Sequence, residues 1–149
     1  MAFFFPLIKF LIKLEFPKVP QITTKKFAEW LLDPVKPQPL VLDARTQAEY
    51  AVSHLKTGVR IDPMTPDLTT LLTVSKDMPI VVYCSVGYRS AKISQQLQEE
   101  GFSRVFNLSG GIFQWANEGR PLFKDEHPTQ LVHPYNASWG KLLKQSYRA

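Results

Sequence analysis

Cys84 is the single cysteine in a chain of 149 residues, and it opens the run Cys84-Ser85-Val86-Gly87-Tyr88-Arg89-Ser90. One thiol excludes an internal disulfide and any metal site built on several thiolates, so Cys84 is either an inert core residue or a working nucleophile. Its neighbours favour the nucleophile. Pro79 to Tyr83 is a continuous apolar run of the kind that forms a strand buried on both faces. The segment after the cysteine reads as a helix from Ser90 to about Glu100, closed by Gly101. Cys84 then lies at the carboxyl end of a strand and just before a helix, where open α/β sheets bind ligands. The free N–H groups and partial positive charge of a helix start favour a thiolate over a thiol, and the thiolate is the attacking form. Gly87 lets the intervening backbone curl, so that successive N–H groups converge on one anionic atom. Arg89 can fork two bonds to an oxyanion, its charge expected to be solvated on a surface loop, and Ser90 adds a hydroxyl that could cap the helix. This is a constellation for holding an anionic sulfur and its donor.

The elements that must position it alternate. Thr23 or Thr24 can cap a helix carrying Phe27, Trp30 and Leu31, which Asp33-Pro34 ends. Leu40 to Ala44 predicts a short buried strand, followed by the capping-box pattern Thr46-Gln47-Ala48-Glu49. Gly58 to Ile61 and Val105-Phe106 predict further strands. Thr65-Pro66 predicts a helical turn, and Gly110-Gly111 leads into a helix with Ile112, Phe113, Trp115 and Ala116. Strands alternating with helices predict an α/β fold with a mainly parallel sheet.

The formal net charge of +5 is unevenly placed. Residues 1–26 carry five lysines against Glu15, residues 27–123 carry nine basic and ten acidic groups, and residues 124–149 carry four and two. The middle lacks a basic excess, which argues against nucleic acid as a partner. Residues 1–19 form an apolar arm, with Phe3, Phe4, Phe5, Leu7, Ile8, Phe10, Leu11, Ile12, Leu14 and Phe16 interrupted by Lys9 and Lys13. The run is too broken for a membrane span and lacks the features of a secretory signal. Residues 1–16 pack on their own domain or a second subunit, form a helix in peripheral contact with an anionic membrane, or act as a transit peptide, which the absence of Arg and Ser disfavours; the membrane helix is the expectation. The chain is otherwise expected to be cytoplasmic. Residues 124–149 show no periodicity and read as a tail, with Asn136-Ala137-Ser138 a glycosylation-type triplet within it. No cofactor is expected. His127 and His133 each precede proline and have no cysteine partner, so no metal is expected either.

Residues 84–90 resemble the active-site loop of the rhodanese family. Leu42-Asp43-Ala44-Arg45 with Glu49-Tyr50 and His54-Leu55 resembles the family's second strand and following helix. Leu108 to Ile112 with Trp115 and Gly119 to Leu122 resembles its closing segment. These pieces stand in the family's order across a domain of residues 20–123. The resemblance implies a rhodanese-like five-stranded parallel sheet flanked by helices on both faces. It implies a sulfurtransferase in which Cys84 takes a sulfane sulfur from a small donor such as thiosulfate, then passes the persulfide sulfur to cyanide or another thiol. It further implies that Ser85, Val86, Gly87, Tyr88, Arg89 and Ser90 hold the persulfide. Asp43 and Arg45 are expected to support the site as an ion pair joining two loops, and His54 to pack beneath a loop. Two alternatives stay open: a non-catalytic interaction module, and a phosphatase or arsenate reductase of the cell-cycle phosphatase type. Such phosphatases place one residue more between cysteine and arginine than the four found here. The shorter loop makes a tighter nest, better matched to sulfur than to phosphate.

Overall fold

The structure is a computed structural model that describes residues 4–149; Phe3 of the apolar arm lies outside the described residues. The chain runs α1 (Phe4–Glu15), β1 (Gln21–Ile22), α2 (Thr24–Leu32), β2 (Leu40–Asp43), α3 (Gln47–Val52), β3 (Val59–Arg60) and a 3-10 turn (Leu68–Leu71). It continues with β4 (Ile80–Tyr83), α4 (Tyr88–Glu99), β5 (Val105–Leu108), α5 (Gly111–Asn117), β6 (Leu122–Lys124), β7 (His127–Thr129), α6 (Ala137–Gly140) and a second 3-10 turn (Gln145–Tyr147).

The first five strands make one parallel sheet in the order β1-β5-β4-β2-β3. β4 is central and wholly buried, as its unbroken apolar run requires. Its side chains alternate between two cores. Val81 and Tyr83 join Phe27 of α2 and Phe113 and Trp115 of α5 on one face. Ile80 and Val82 join Ile93 and Leu97 of α4 on the other, and Cys84 continues that side. Helices therefore cover both faces, as the resemblance implied.

Local signals are realised closely. Thr23 accepts from the Lys26 N–H at 3.1 Å as the N-cap of α2. Thr46 and Glu49 close the capping box of α3. Elsewhere the structure differs from expectation. The helical turn predicted at Thr65-Pro66 begins later, because the Asp67 carboxylate accepts from the Thr69 N–H at 3.0 Å and caps the 3-10 turn. Residues 124–149 are not a featureless tail. β6 and β7 form an antiparallel hairpin through Asp125 and Glu126, both at positive φ. Val132, Leu142 and Leu143 are buried in the main core. Their spacing around Pro128 and Pro134 has no helix or strand period, so the packing is invisible as a pattern. Asn136 of the glycosylation-type triplet caps α6, its side chain accepting from the Trp139 N–H at 2.8 Å.

The arm packs on its own domain. Ile12 and Phe16 are buried with Val19 against Ala91 in the first turn of α4, and Ile8 packs beside them. The opposite side of α1 carries Phe4, Leu7, Phe10, Leu11 and Leu14, each at least half exposed. No described helix is long and apolar enough to cross a membrane.

Candidate active site

Cys84 follows the last residue of β4 and is 1% exposed, yet it lines the floor of an open cavity. The loop after it is bent by Gly87 at φ +115°, a conformation that side chains resist. Gly87 is also the N-cap of α4, so the helix begins at Tyr88, two residues earlier than the sequence suggested. Arg89 and Ser90 thus belong to its first turn. Ser90 does not cap the helix. It is fully buried and turns its hydroxyl to the sulfur, Oγ to Sγ 3.3 Å, while the Gly87 N–H donates to the same sulfur at 3.1 Å.

The loop carbonyls are held from behind. Ile112 N–H donates to Cys84 O at 2.9 Å and Phe113 N–H to Ser85 O at 3.0 Å, both from the start of α5. That approach requires Gly111, which sits at φ +60° with any Cβ placed 2.5 Å from Cys84 O and in collision with Ser85 O. Asn107 of β5 donates to Gly87 O at 3.0 Å and fixes the far side of the loop.

Arg89 is not a free surface cation. Its two Nη atoms donate to the two carboxylate oxygens of Glu49 at 2.8 and 2.9 Å, and Nη2 also reaches Ser85 Oγ at 3.0 Å. Ser85 Oγ in turn donates to Glu49 Oε2 at 3.0 Å. The guanidinium lies over the Tyr135 ring at 4.9 Å. Burial pushes the Glu49 carboxyl up, but the Arg89 hydrogen bonds and charge, the Thr46 N–H and the charge of Arg45 outweigh it and hold it at about 2. The expectation of a solvated Arg89 is corrected accordingly: α3 delivers a buried carboxylate to it. Glu49 carried a legible capping signal, but nothing in its spacing announced this second role.

Of the remaining loop residues, Val86 and Tyr88 line the cavity, and Tyr88 donates its hydroxyl to Glu15 of α1 at 3.1 Å. Asp43 and Arg45 are absent from its walls. They form a fully buried pair, Nη2 to Oδ2 2.7 Å and Nε to Oδ1 2.8 Å. Arg45 also binds Ser53 O, while Tyr83 donates to Asp43. This network ties β2 and β4 to the end of α3; Asp43 and Arg45 stand two residues apart at the end of one strand, so their pair does not join two loops as expected. His54 stacks on Tyr50 with ring centres 4.3 Å apart.

Both chain ends help to wall the cavity, which encloses about 480 Å³. α1 contributes Ile8, Leu11, Ile12 and Glu15, and the C-terminal segment contributes Tyr135 and Trp139. Only long-range packing brings these residues to Cys84, so sequence reasoning missed them.

The family profile of the Rhodanese-like domain matches residues 27–118. A protein named sulfurtransferase from Allochromatium vinosum is 36% identical over 87 residues, covering 58% of this chain and 80% of the relative. The tRNA uridine(34) hydroxylase of Escherichia coli is 33% identical over 89 residues, which are 56% of this chain but 25% of that enzyme. The solution structure of the rhodanese-like domain of an Anabaena sp. protein shares the fold with a TM-score of 0.63. It is 21% identical and covers 72% of this chain and 80% of that one.

Proposed function

Because the chain belongs to the rhodanese-like domain family, we propose that it is a sulfurtransferase working through a Cys84 persulfide. The observation that carries this reading is the hydrogen bonding at the sulfur: Cys84 Sγ accepts from the Gly87 N–H at 3.1 Å and from the Ser90 hydroxyl at 3.3 Å, on the floor of an open cavity. Donors aimed at the sulfur stabilise a thiolate, and the first turn of α4 adds its partial positive charge. The thiolate attacks the sulfane sulfur of a donor, of which thiosulfate is the simplest, and the donor leaves with the bonding pair. A thiophilic acceptor such as cyanide or a thiol then takes the outer sulfur and returns Cys84 as thiolate. Gly87 and Ser90 hold the charge on Sγ while Cys84 is a thiolate, before loading and after discharge, and Ser85, Val86, Tyr88 and Arg89 line the space for the outer sulfur that bears the charge in between.

Intact-mass measurement on protein treated with thiosulfate or polysulfide tests this. One added sulfur, lost on adding cyanide and absent from Cys84→Ser, is expected. A chain that never gains sulfur while remaining folded, or a Cys84→Ser protein that still turns over, favours the interaction-module reading instead.

We also propose that the outward side of α1 rests on an anionic membrane surface. Phe4, Leu7, Phe10, Leu11 and Leu14 are exposed apolar residues on one side of α1, and the exposed Lys13 and Lys18 lie on or just beyond the same helix. Each such lysine contributes about 1 kcal/mol near anionic headgroups.

A further inference from the structure

The cavity above Cys84 is poorly suited to a small anion. At about 480 Å³ it falls in the range that holds whole organic ligands. Among the described residues Arg89 is the only cation lining it, and both of its Nη atoms already serve Glu49 while its flat face lies against Tyr135. Glu15 adds a carboxylate to the wall. A dianion entering here meets a neutralised cation and a second negative charge. Apart from Cys84, Ser85 and Tyr88 of the loop itself, the rest of the lining is hydrocarbon and aromatic: Ile8, Leu11, Ile12, Val86, Tyr135 and Trp139.

The apolar space also continues. Ile8, Leu11 and Trp139 line a second hollow of about 550 Å³, which runs along the seam between α1 and α6 past Phe4, Leu7 and Leu142. The two hollows therefore adjoin across Ile8, Leu11 and Trp139, one on the sulfur side and one on the outer side of α1. Lys141 is the one cation lining that second hollow among the described residues.

Resting on the persulfide chemistry above, we propose that the organic substrate exchanging sulfur with Cys84 is an apolar thiol, R–SH, whose hydrocarbon group lies in the slot between α1 and the C-terminal segment. The deprotonated thiol attacks the outer sulfur of the Cys84 persulfide. The new R–S–S bond forms as the Cys84 S–S bond breaks, and the bonding pair stays on Cys84 as thiolate. The outer sulfur, protonated from solvent after loading, keeps that proton, so the products are R–S–SH and the starting thiolate enzyme. The reverse step loads the enzyme from the same persulfide. No oxidant or reductant enters in either direction.

The test uses full-length protein loaded with one sulfur by polysulfide, its discharge followed by intact mass in single turnover. The acceptors are ethanethiol, butanethiol and hexanethiol, which differ in length but hardly in thiol reactivity, with 3-mercaptopropionate compared against 1-propanethiol. The expected discharge rate at a fixed low acceptor concentration rises about twofold or more for each added methylene, and 3-mercaptopropionate is slower than propanethiol. Leu11→Asp, at a half-exposed position of the slot, flattens the series. A loaded enzyme whose rate is independent of chain length, or which prefers the carboxylate, overturns the proposal while leaving the persulfide reading intact. A protein that never loads overturns both.

Discussion

Glu49→Gln isolates the electrostatic part of the active-site scaffold. The glutamine keeps the size of the side chain and an oxygen for the Thr46 N–H, so the capping box survives, but the charge opposite Arg89 is gone. In the native protein two Arg89 bonds of 2.8 and 2.9 Å and its charge, helped by the Thr46 N–H and the charge of Arg45, outweigh burial and hold the carboxyl at about 2 against an ordinary 4.5. At about 1.4 kcal/mol per tenfold change in acidity, this bounds the contribution at about 3 kcal/mol. Solvent reaches Arg89, whose side chain is 20% exposed against 2% for Glu49, and screening lowers the figure to about 2 kcal/mol. The folded carboxyl is more acidic than the unfolded one, so its contribution is complete above 4.5 and fades as the pH falls through about 2. Urea unfolding of both proteins across that range is the assay. The wild type should exceed the variant by about 2 kcal/mol at neutral pH, with the gap closing in acid. Equal stability at neutral pH, or a gap unchanged down to the acid limit, would refute the coupling of Glu49 to Arg89.

Arg89→Ala should be the harsher change, because it leaves the buried Glu49 carboxylate unpaired. A loss of about 3 kcal/mol in neutral urea unfolding is expected, and a cost below about 0.5 kcal/mol would mean the pair is open to water in solution. Gly111→Ala forces a left-handed alanine into the carbonyls of Cys84 and Ser85. Strain and two weakened backbone bonds together should cost about 3 kcal/mol and slow sulfur loading, whereas native stability and rate would contradict the close approach of α5. Phe10→Glu with Leu14→Glu alters two exposed residues of α1 that line neither hollow. The wild type should sediment with phosphatidylserine vesicles and this variant should not, with melting temperatures alike; wild-type protein that ignores the vesicles removes the membrane proposal.

The sheet was legible because its determinants are local. β4 is an unbroken run of Ile80, Val81, Val82 and Tyr83, short and rich in β-branched residues, which fits a strand covered on both faces. Thr23 and the Thr46–Glu49 box mark helix starts within four residues of sequence. The C-terminal segment was illegible for the opposite reason. Its hairpin turns at Asp125-Glu126 rather than at a glycine, its strands are three residues long, and Val132 and Leu143 reach the core from irregular backbone. The arm was half legible. Its amphipathic character was plain, but α1 is apolar on two sides, and composition cannot say which side meets protein.

The same division runs through the site. Cysteine, left-handed glycine and helix start lie within seven consecutive residues, so the loop around Cys84 could be picked out from spacing. The surroundings of that sulfur could not. Glu49 meets Arg89 across 40 positions and Tyr88 meets Glu15 across 73, and no periodicity encodes such pairings. Ile8, Leu11, Glu15, Tyr135 and Trp139 all lie outside the span that the family profile matches. The segment that the family profile matches thus carries the loop around Cys84, while segments beyond it set much of the polarity of the cavity above it. It follows that changes in α1 or in residues 135–139 should alter which thiol is used far more than whether a persulfide forms, whereas changes at Gly87, Ser90 or Gly111 should do the reverse.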